Sequence, residues 1–293
     1  MQIKLNEAKG KVNLFAMDYD GTLADGEKYQ KDDAISIIRQ ILAKGKTPAF
    51  MTARAATAVK TFVPPLEEFY RNNPESVAAY IGGGNGTVLY KIDAKGVERI
   101  YNHGLALDEI KSIVAKWENY ATEHLLVNEL SEKGLTTFKK FYADTWENLI
   151  SDEVLNIGRP FEGRIFTEEA KVTFVFPKDV NQHQKIVDDI QNLIREKFSV
   201  AAGDKDFCHI TKRLNEDSKM VAVKTILKEL GLEENQVVTF GDMPHGNDKG
   251  LLSFPYSFTN YVSASSNVPP FVLPGAETDP VGSVHKAIHF LIA

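Results

Sequence analysis

Val12-Asn-Leu-Phe-Ala-Met-Asp18-Tyr19-Asp20-Gly21-Thr22 carries an apolar stretch straight into two aspartates two residues apart, then a glycine. The apolar run reads as a buried central strand, and residues i and i+2 of an extended chain project to the same side. Two carboxylates therefore face one point. Like charges held this close repel unless a divalent cation or a shared proton compensates them. The ordinary alternative is a polar strand end with a glycine turn, because Asp and Gly are common turn residues.

Downstream, Ala34, Ile35, Ile37, Ile38, Ile41 and Leu42 recur at helical spacing, with Asp32 and Asp33 at the start and Gly45 at the end. Pro48-Ala-Phe-Met-Thr52 reads as a second strand, and Ala78-Ala-Tyr-Ile81 as a third beyond another helical stretch. This β-α-β-α-β order predicts an α/β, Rossmann-like core with a parallel sheet and helices on both faces. Ligands of such sheets lie at the carboxyl ends of the strands. Asp18 and Thr52 fall at such ends.

The rhythm changes after Gly82-Gly-Gly-Asn85-Gly86. A hairpin (Val88–Tyr90 with Val97–Tyr101) and a helix marked by Leu107, Ile110, Ile113, Val114 and Trp117 come next. After a less regular region come the strand Lys171–Phe176, a helix through Ile186, Ile190, Leu193 and Ile194, and a strand near Phe207 to Ile210. We read residues 88–205 as an inserted α+β domain, with 1–87 and 206–293 forming the core. Met220, Val223, Ile226, Leu227 and Leu230 then mark a helix ended by Gly231, and Val237-Val-Thr-Phe-Gly241 a strand closed by Asp242. Ala264 to Pro274, rich in Ser and Pro, reads as a surface loop or late connection.

Asp18, Asp20, Thr52 and Asp242 thus sit at three strand ends. Taken with Lys219, they resemble the four ordered motifs of the haloacid dehalogenase superfamily: Asp18-Tyr-Asp20-Gly21-Thr22, Thr52 in Met-Thr-Ala-Arg54, Lys219 in Asp-Ser-Lys-Met-Val, and Gly241-Asp242-Met-Pro-His-Gly-Asn247-Asp248. The insertion resembles the C2-type cap of subfamily IIB, the Cof-like, sucrose-phosphatase and phosphomannomutase branch, and Gly84-Asn85-Gly86 resembles that branch's hinge. The resemblance implies that Asp18 attacks phosphorus to give an aspartyl phosphate, and that Asp20 serves as general acid and then base. It implies Mg2+ held by Asp18, the Asp20 carbonyl and Asp242, with Asn247 and Asp248 as further candidates. Thr52 and the amides after Asp18, with Gly21 and Thr22, would hold the phosphoryl group, and Lys219 would offset charge. Arg54, Lys171 and His245 are candidate substrate contacts, as are the cap cations Lys139, Lys140, Arg159 and Arg164.

Each has a plainer reading. Thr52 could be a helix N-cap, Lys219 one more surface lysine, and His245 an exposed loop residue. The Gly82–Gly86 run lacks the Gly-Lys-Ser/Thr ending of a P-loop, so it is read as a hinge. The fourth motif departs from the family pattern: five residues separate Asp242 from Asp248, one or two more than usual. Pro244 and Gly246 offer a way for the chain to bulge and return.

Composition narrows the rest. With 293 residues, 43% hydrophobic and 25% charged, the chain can bury a core. A net charge of -6 argues against nonspecific nucleic-acid binding. Cys208 is the single cysteine, so no internal disulfide forms, and a reducing, cytoplasmic setting is expected. No apolar run approaches the roughly 18 residues of a membrane span. The expected activity is Mg2+-dependent hydrolysis of a small, sugar-like phosphomonoester. A phosphomutase of the phosphomannomutase type and a non-catalytic phosphate-binding protein are the alternatives, and the sequence leaves the oligomeric state open.

Overall fold

The computed structural model describes residues 2–54, 56–106, 108–110, 112–113, 115–116, 119, 165–168, 171–175, 183–194, 197–202, 207–262 and 269–293. After a short helix α1 (Gln2–Ala8), β1 (Leu14–Asp18) leads through α2 (Lys31–Ala43) to β2 (Thr47–Met51), then through α3 (Ala56–Asn72) to β3 (Ala79–Gly83). All three strands are buried along their length. They pair in parallel, as helical crossovers require.

Period-two alternation distributes the helices over both faces. Leu14, Ala16, Ala49 and Met51 pack with Ala222, Val223 and Ile226 of α5 (Ser218–Leu230). On the opposite side, the Phe50 ring lies 4.4 Å from that of Phe62 in α3. An interior aromatic such as Phe62 contributes about 2–3 kcal/mol by burial.

The remaining strands of this sheet are the hairpin β4 (Val88–Asp93) and β5 (Gly96–Asn102), then β10 (Val237–Gly241), β11 (Tyr256–Thr259) and the short β12 (Phe271–Val272). Their order is β12-β11-β10-β1-β2-β3-β4-β5. β1 and β10 are therefore neighbours at the centre, which brings Asp18 and the residue after Gly241 to one rim. The chain closes with α6 (Pro280–Ile292).

A second, antiparallel sheet of order β6-β7-β9-β8 uses β6 (Ile165–Glu168), β7 (Lys171–Val175), β8 (Phe198–Ala202) and β9 (Phe207–Lys212), with α4 (His183–Ile194) between β7 and β8. Val172, Phe174, Cys208 and Ile210 alternate onto the face that packs with Ile186, Val187, Ile190 and Ile194. Leu105, Ile110 and Ile113 join that cluster.

The chain divides into two compact units, one of Met1–Arg54, Ala58–Asn102 and Asn215–Ala293, the other of Ala55–Thr57 and His103–Leu214. The sequence-based division at 88 and 205 differs at both ends. The hairpin Val88–Asn102 belongs to the larger unit because β4 pairs antiparallel with β3. β9 belongs to the smaller because it is the central partner of β7 and β8. The hinge reading of Gly84–Gly86 changes with it. Gly84, Asn85 and Gly86 all have positive φ, at 55°, 58° and 88°. They form a buried bracket: Asn85 N–H donates to Thr52 O at 2.7 Å, and Ser218 Oγ to Asn85 O at 2.6 Å.

Lys139, Lys140, Arg159 and Arg164 lie outside the described residues, as do Leu107, Val114, Trp117, Phe176 and positions 264–268 of the expected loop. Among the described residues, no helix is long and apolar enough to cross a membrane.

Two measurements check this packing. A Cβ at Gly86 would meet Ser218 O at 2.6 Å, whereas one at Gly10, φ 82°, meets nothing within 4 Å. Gly10→Ala is expected to cost about 1 kcal/mol from its dihedral alone, and Gly86→Ala about 3 kcal/mol. Urea unfolding compares them, and equal midpoints would contradict the bracket. Cys208 is fully buried, and burial pushes its thiol up to about 12. It is expected to react with a thiol reagent only after denaturation; rapid labelling of the native protein would refute the packing of the smaller unit.

Candidate active site

Asp18, the last residue of β1, is 4% exposed. Its Oδ1 accepts from Lys219 Nζ at 2.5 Å, and the same ammonium donates to Asp248 Oδ1 at 2.5 Å. Lys219 reaches this point from the first turn of α5. Asp217 caps that helix, its carboxylate accepting from the amides of Lys219 and Met220 at 3.0 and 3.2 Å. The plainer reading of Lys219 as a surface lysine fails, since the residue is fully buried.

The long fourth-motif loop does return Asp248 to this point. Met243 O accepts the amides of Gly246 and Asp248, and Asp248 Oδ2 accepts from the amides of Asp242 and Met243, both at 3.0 Å. Gly241 leaves the room: a Cβ there would meet Asp248 Oδ2 at 2.8 Å. Asp242 lies on the other flank, against Gly21. A Cβ on Gly21, whose φ is 79°, would meet Asp242 Oδ2 at 2.5 Å. Both glycines are needed for these approaches.

Asp18, Asp242 and Asp248 each offer an oxygen within 4.8 Å of the others'. Burial raises the Asp18 pKa well above the usual range, Lys219 pulls it back, and Asp248 and Asp242 raise it further. Asp242 is pushed up to about 7 by burial and by Asp248. Burial works against the Lys219 ammonium, yet Asp18 and Asp248 outweigh it and raise its pKa. Three carboxylates thus crowd one cation in a desolvated space. All-oxygen donors with excess negative charge fit a hard divalent cation such as Mg2+.

Asp20 has a different environment. Its side chain is 52% exposed, and its Oδ1 accepts from Arg54 Nη2 at 2.7 Å. Thr52 Oγ1 donates to Asp20 Oδ2 at 3.5 Å and accepts from the Arg54 amide at 3.1 Å. The Arg54 guanidinium also lies over the Tyr19 ring, 5.3 Å from its centroid. The first and second motifs are therefore stitched together.

In the loop after Asp18, the Gly21 amide donates to Ala24 O at 2.8 Å, and Tyr19 O accepts from Leu23 and Ala24 at 2.9 and 3.1 Å. The Thr22 amide makes only a long bond, 3.4 Å, to Tyr19 O. Thr22 is fully buried, and its Oγ1 has no partner among the described residues. Asn247 Oδ1 is likewise buried without a partner among those residues. His245 is exposed and packs edge-on to Tyr261, with centroids 6.3 Å apart. Lys171 is buried in the smaller unit, where burial and, to a lesser degree, the Lys171 charge depress the His209 pKa to about 3.

Sequence reasoning missed Asn260. It is 5% exposed, and its Nδ2 donates to Gly21 O at 2.8 Å. The available signal was its place directly after the strand Tyr256–Thr259, at the same rim as the motif residues.

A family model for haloacid dehalogenase-like hydrolases matches residues 15–256. No curated protein matches the chain by sequence. Among solved structures, a haloacid dehalogenase-like hydrolase from Bacteroides thetaiotaomicron is 14% identical with a TM-score of 0.61, over 95% of this chain and 99% of that one. A candidate HAD/COF-like hydrolase from Plasmodium vivax is 20% identical with a TM-score of 0.62, over 98% and 99%. An N-terminally truncated, IMP-bound IMP-nucleotidase from Plasmodium falciparum is 15% identical with a TM-score of 0.57, over 99% and 70%. These likenesses establish the shared fold, and the match across both flanks of the insertion, with the motif residues gathered at one rim, makes this chain a member of the haloacid dehalogenase-like hydrolases.

Proposed function

We propose that the protein is a Mg2+-dependent phosphatase that hydrolyses a small phosphorylated metabolite through an aspartyl phosphate on Asp18. The observation that supports this reading best is the Lys219 ammonium held at 2.5 Å from both Asp18 and Asp248, with Asp242 alongside. Lys219 engages Asp18 Oδ1, which favours the ionised carboxylate against the effect of burial and leaves Oδ2 to attack phosphorus. The P–O bond to the leaving group breaks as the Asp18–phosphorus bond forms.

Asp20 gives its proton to the departing oxygen, then takes one from the water that cleaves the acyl phosphate. Its exposure supports both roles, since leaving group and water approach from solvent. Thr52 and the Thr22 amide hold phosphoryl oxygens, and Lys219 offsets the charge that gathers there. Asp18 and Asp242, with the Asp20 carbonyl, would hold Mg2+. When bound, that ion supplies charge neutralisation between nucleophile and phosphoryl group.

The Plasmodium falciparum neighbour is an IMP-nucleotidase, so the panel worth testing includes nucleotides beside sugar phosphates. Phosphate release should depend on Mg2+ and stop with EDTA, and Asp18→Asn should lower turnover by about 10³-fold or more. Activity in Asp18→Asn equal to the parent would end the proposal. Lys219→Met leaves two buried carboxylates unpaired, so it should also lower stability by about 3–5 kcal/mol. Urea unfolding at neutral pH reads this, and a parental midpoint would contradict the charge balance described for the site.

A further inference from the structure

We infer that Asn260 is a positioning residue for phosphoryl transfer: it clamps the Gly21–Thr22 peptide so that the Thr22 N–H is presented to the phosphoryl group. The inference rests on the phosphatase reading and adds to it a residue outside the four motifs.

The bond from Asn260 Nδ2 to Gly21 O is 2.8 Å long and ties the end of β11 to the loop after the nucleophile, 239 residues away in sequence. Gly21 O and Thr22 N–H belong to one rigid peptide plane. Holding the carbonyl therefore aims the amide. That amide is only loosely engaged, at 3.4 Å from Tyr19 O, while the neighbouring Gly21, Leu23 and Ala24 amides make bonds of 2.8–3.1 Å. A donor held firmly through its carbonyl and weakly at its hydrogen is ready to exchange Tyr19 O for a ligand oxygen.

The orientation of the Asn260 side chain is determined by chemistry. Only an N–H can face the Gly21 carbonyl, so Oδ1 points away from it. Oδ1 is buried and has no hydrogen-bond partner among the described residues, and the same holds for the Thr22 hydroxyl. Buried polar groups are rarely left unpaired, so two of them, one on the residue that holds Gly21 O and one on Thr22 itself, mark a place that ordered water or ligand completes. Gly21 also touches the Asp242 carboxylate, where even a Cβ would collide with Oδ2. A shift of this peptide would therefore disturb the phosphoryl donor and the carboxylate pocket together.

Such a clamp acts on a geometry that matters most when phosphoryl charge is redistributed in the transition state. With para-nitrophenyl phosphate and saturating Mg2+, Asn260→Ala should lower kcat by about tenfold or more while KM stays within about threefold. Inhibition by orthovanadate, a transition-state mimic, should weaken by a similar factor, with inhibition by inorganic phosphate within about threefold of the parent. Asn260→Asp keeps the size of the side chain but turns a second acceptor toward Gly21 O. It should lose at least as much activity as Asn260→Ala, whereas a residue needed only for packing would tolerate it better. Should Asn260→Ala fail to fold by circular dichroism, Asn260→Asp carries the same kinetic and vanadate comparison. Parental kcat and vanadate affinity in the folded variants would overturn the inference. So would equal losses of vanadate and phosphate affinity accompanied by a lowered melting temperature, which is the signature of a structural role. A parent protein inert toward every phosphoester would overturn the phosphatase reading and this inference with it.

Discussion

A lysine ammonium buried between two carboxylates sets the terms for the larger unit. Lys219 lies in the first turn of α5, where the helix dipole disfavours a cation, and it is fully removed from water. Both effects oppose its charge. Only the contacts to Asp18 and Asp248 compensate, and both of those acids are themselves buried. The three groups are therefore mutually dependent: the end of β1, the start of α5 and the loop after β10 must meet at one point or none is stable there. The surrounding glycines follow from that demand. Gly86 lets the bracket approach Ser218 and Lys219, Gly241 admits the Asp248 carboxylate, and Gly250 lies against the capping carboxylate of Asp217.

This dependence explains how an enlarged fourth-motif loop remains compatible with the site. Asp248 uses both oxygens, Oδ1 on Lys219 and Oδ2 on the amides of Asp242 and Met243. The acid closes its own loop from inside, so the residues between can bulge outward without moving the ends. Met243 and His245 accordingly face solvent. The same bonds divide the labour between the two acids. Asp248 is committed to orienting the lysine and the backbone, while Asp242 rests against Gly21 with its carboxylate turned to the pocket shared with Asp18.

Strands and helices of the core were legible because their burial is periodic. β10 was read as Val237–Gly241 to the residue, and α5 ends at Gly231 in the left-handed conformation that glycine supplies. The motif residues were legible because strand ends in a parallel sheet share one rim. What sequence alone did not reveal depends on pairing partners. Whether the hairpin Val88–Asn102 continues the first sheet or begins the second domain is decided by its bonds to β3, and nothing in its own residues states that. Phe207–Lys212 is the mirror case. Asn260 stayed hidden for a related reason: one polar residue after a four-residue strand carries no local signature, and its bond to Gly21 spans almost the whole chain.

Asp18 and Asp20 are equivalent in sequence and opposite in environment. Asp18 is dry and bonded to an ammonium, whereas Asp20 is half exposed and paired with a guanidinium that is itself 46% exposed. A nucleophile gains from being desolvated and oriented, provided a fixed cation keeps it ionised. A group that must serve both a leaving alcohol and an incoming water gains from access. Arg54 can meet that second need without burying Asp20, because a surface ion pair is worth only about 0–1 kcal/mol and is readily exchanged. The strand geometry places the carboxylates side by side. This difference in solvation, a buried ammonium beside Asp18 and open water at Asp20, supports the different roles proposed for the two acids.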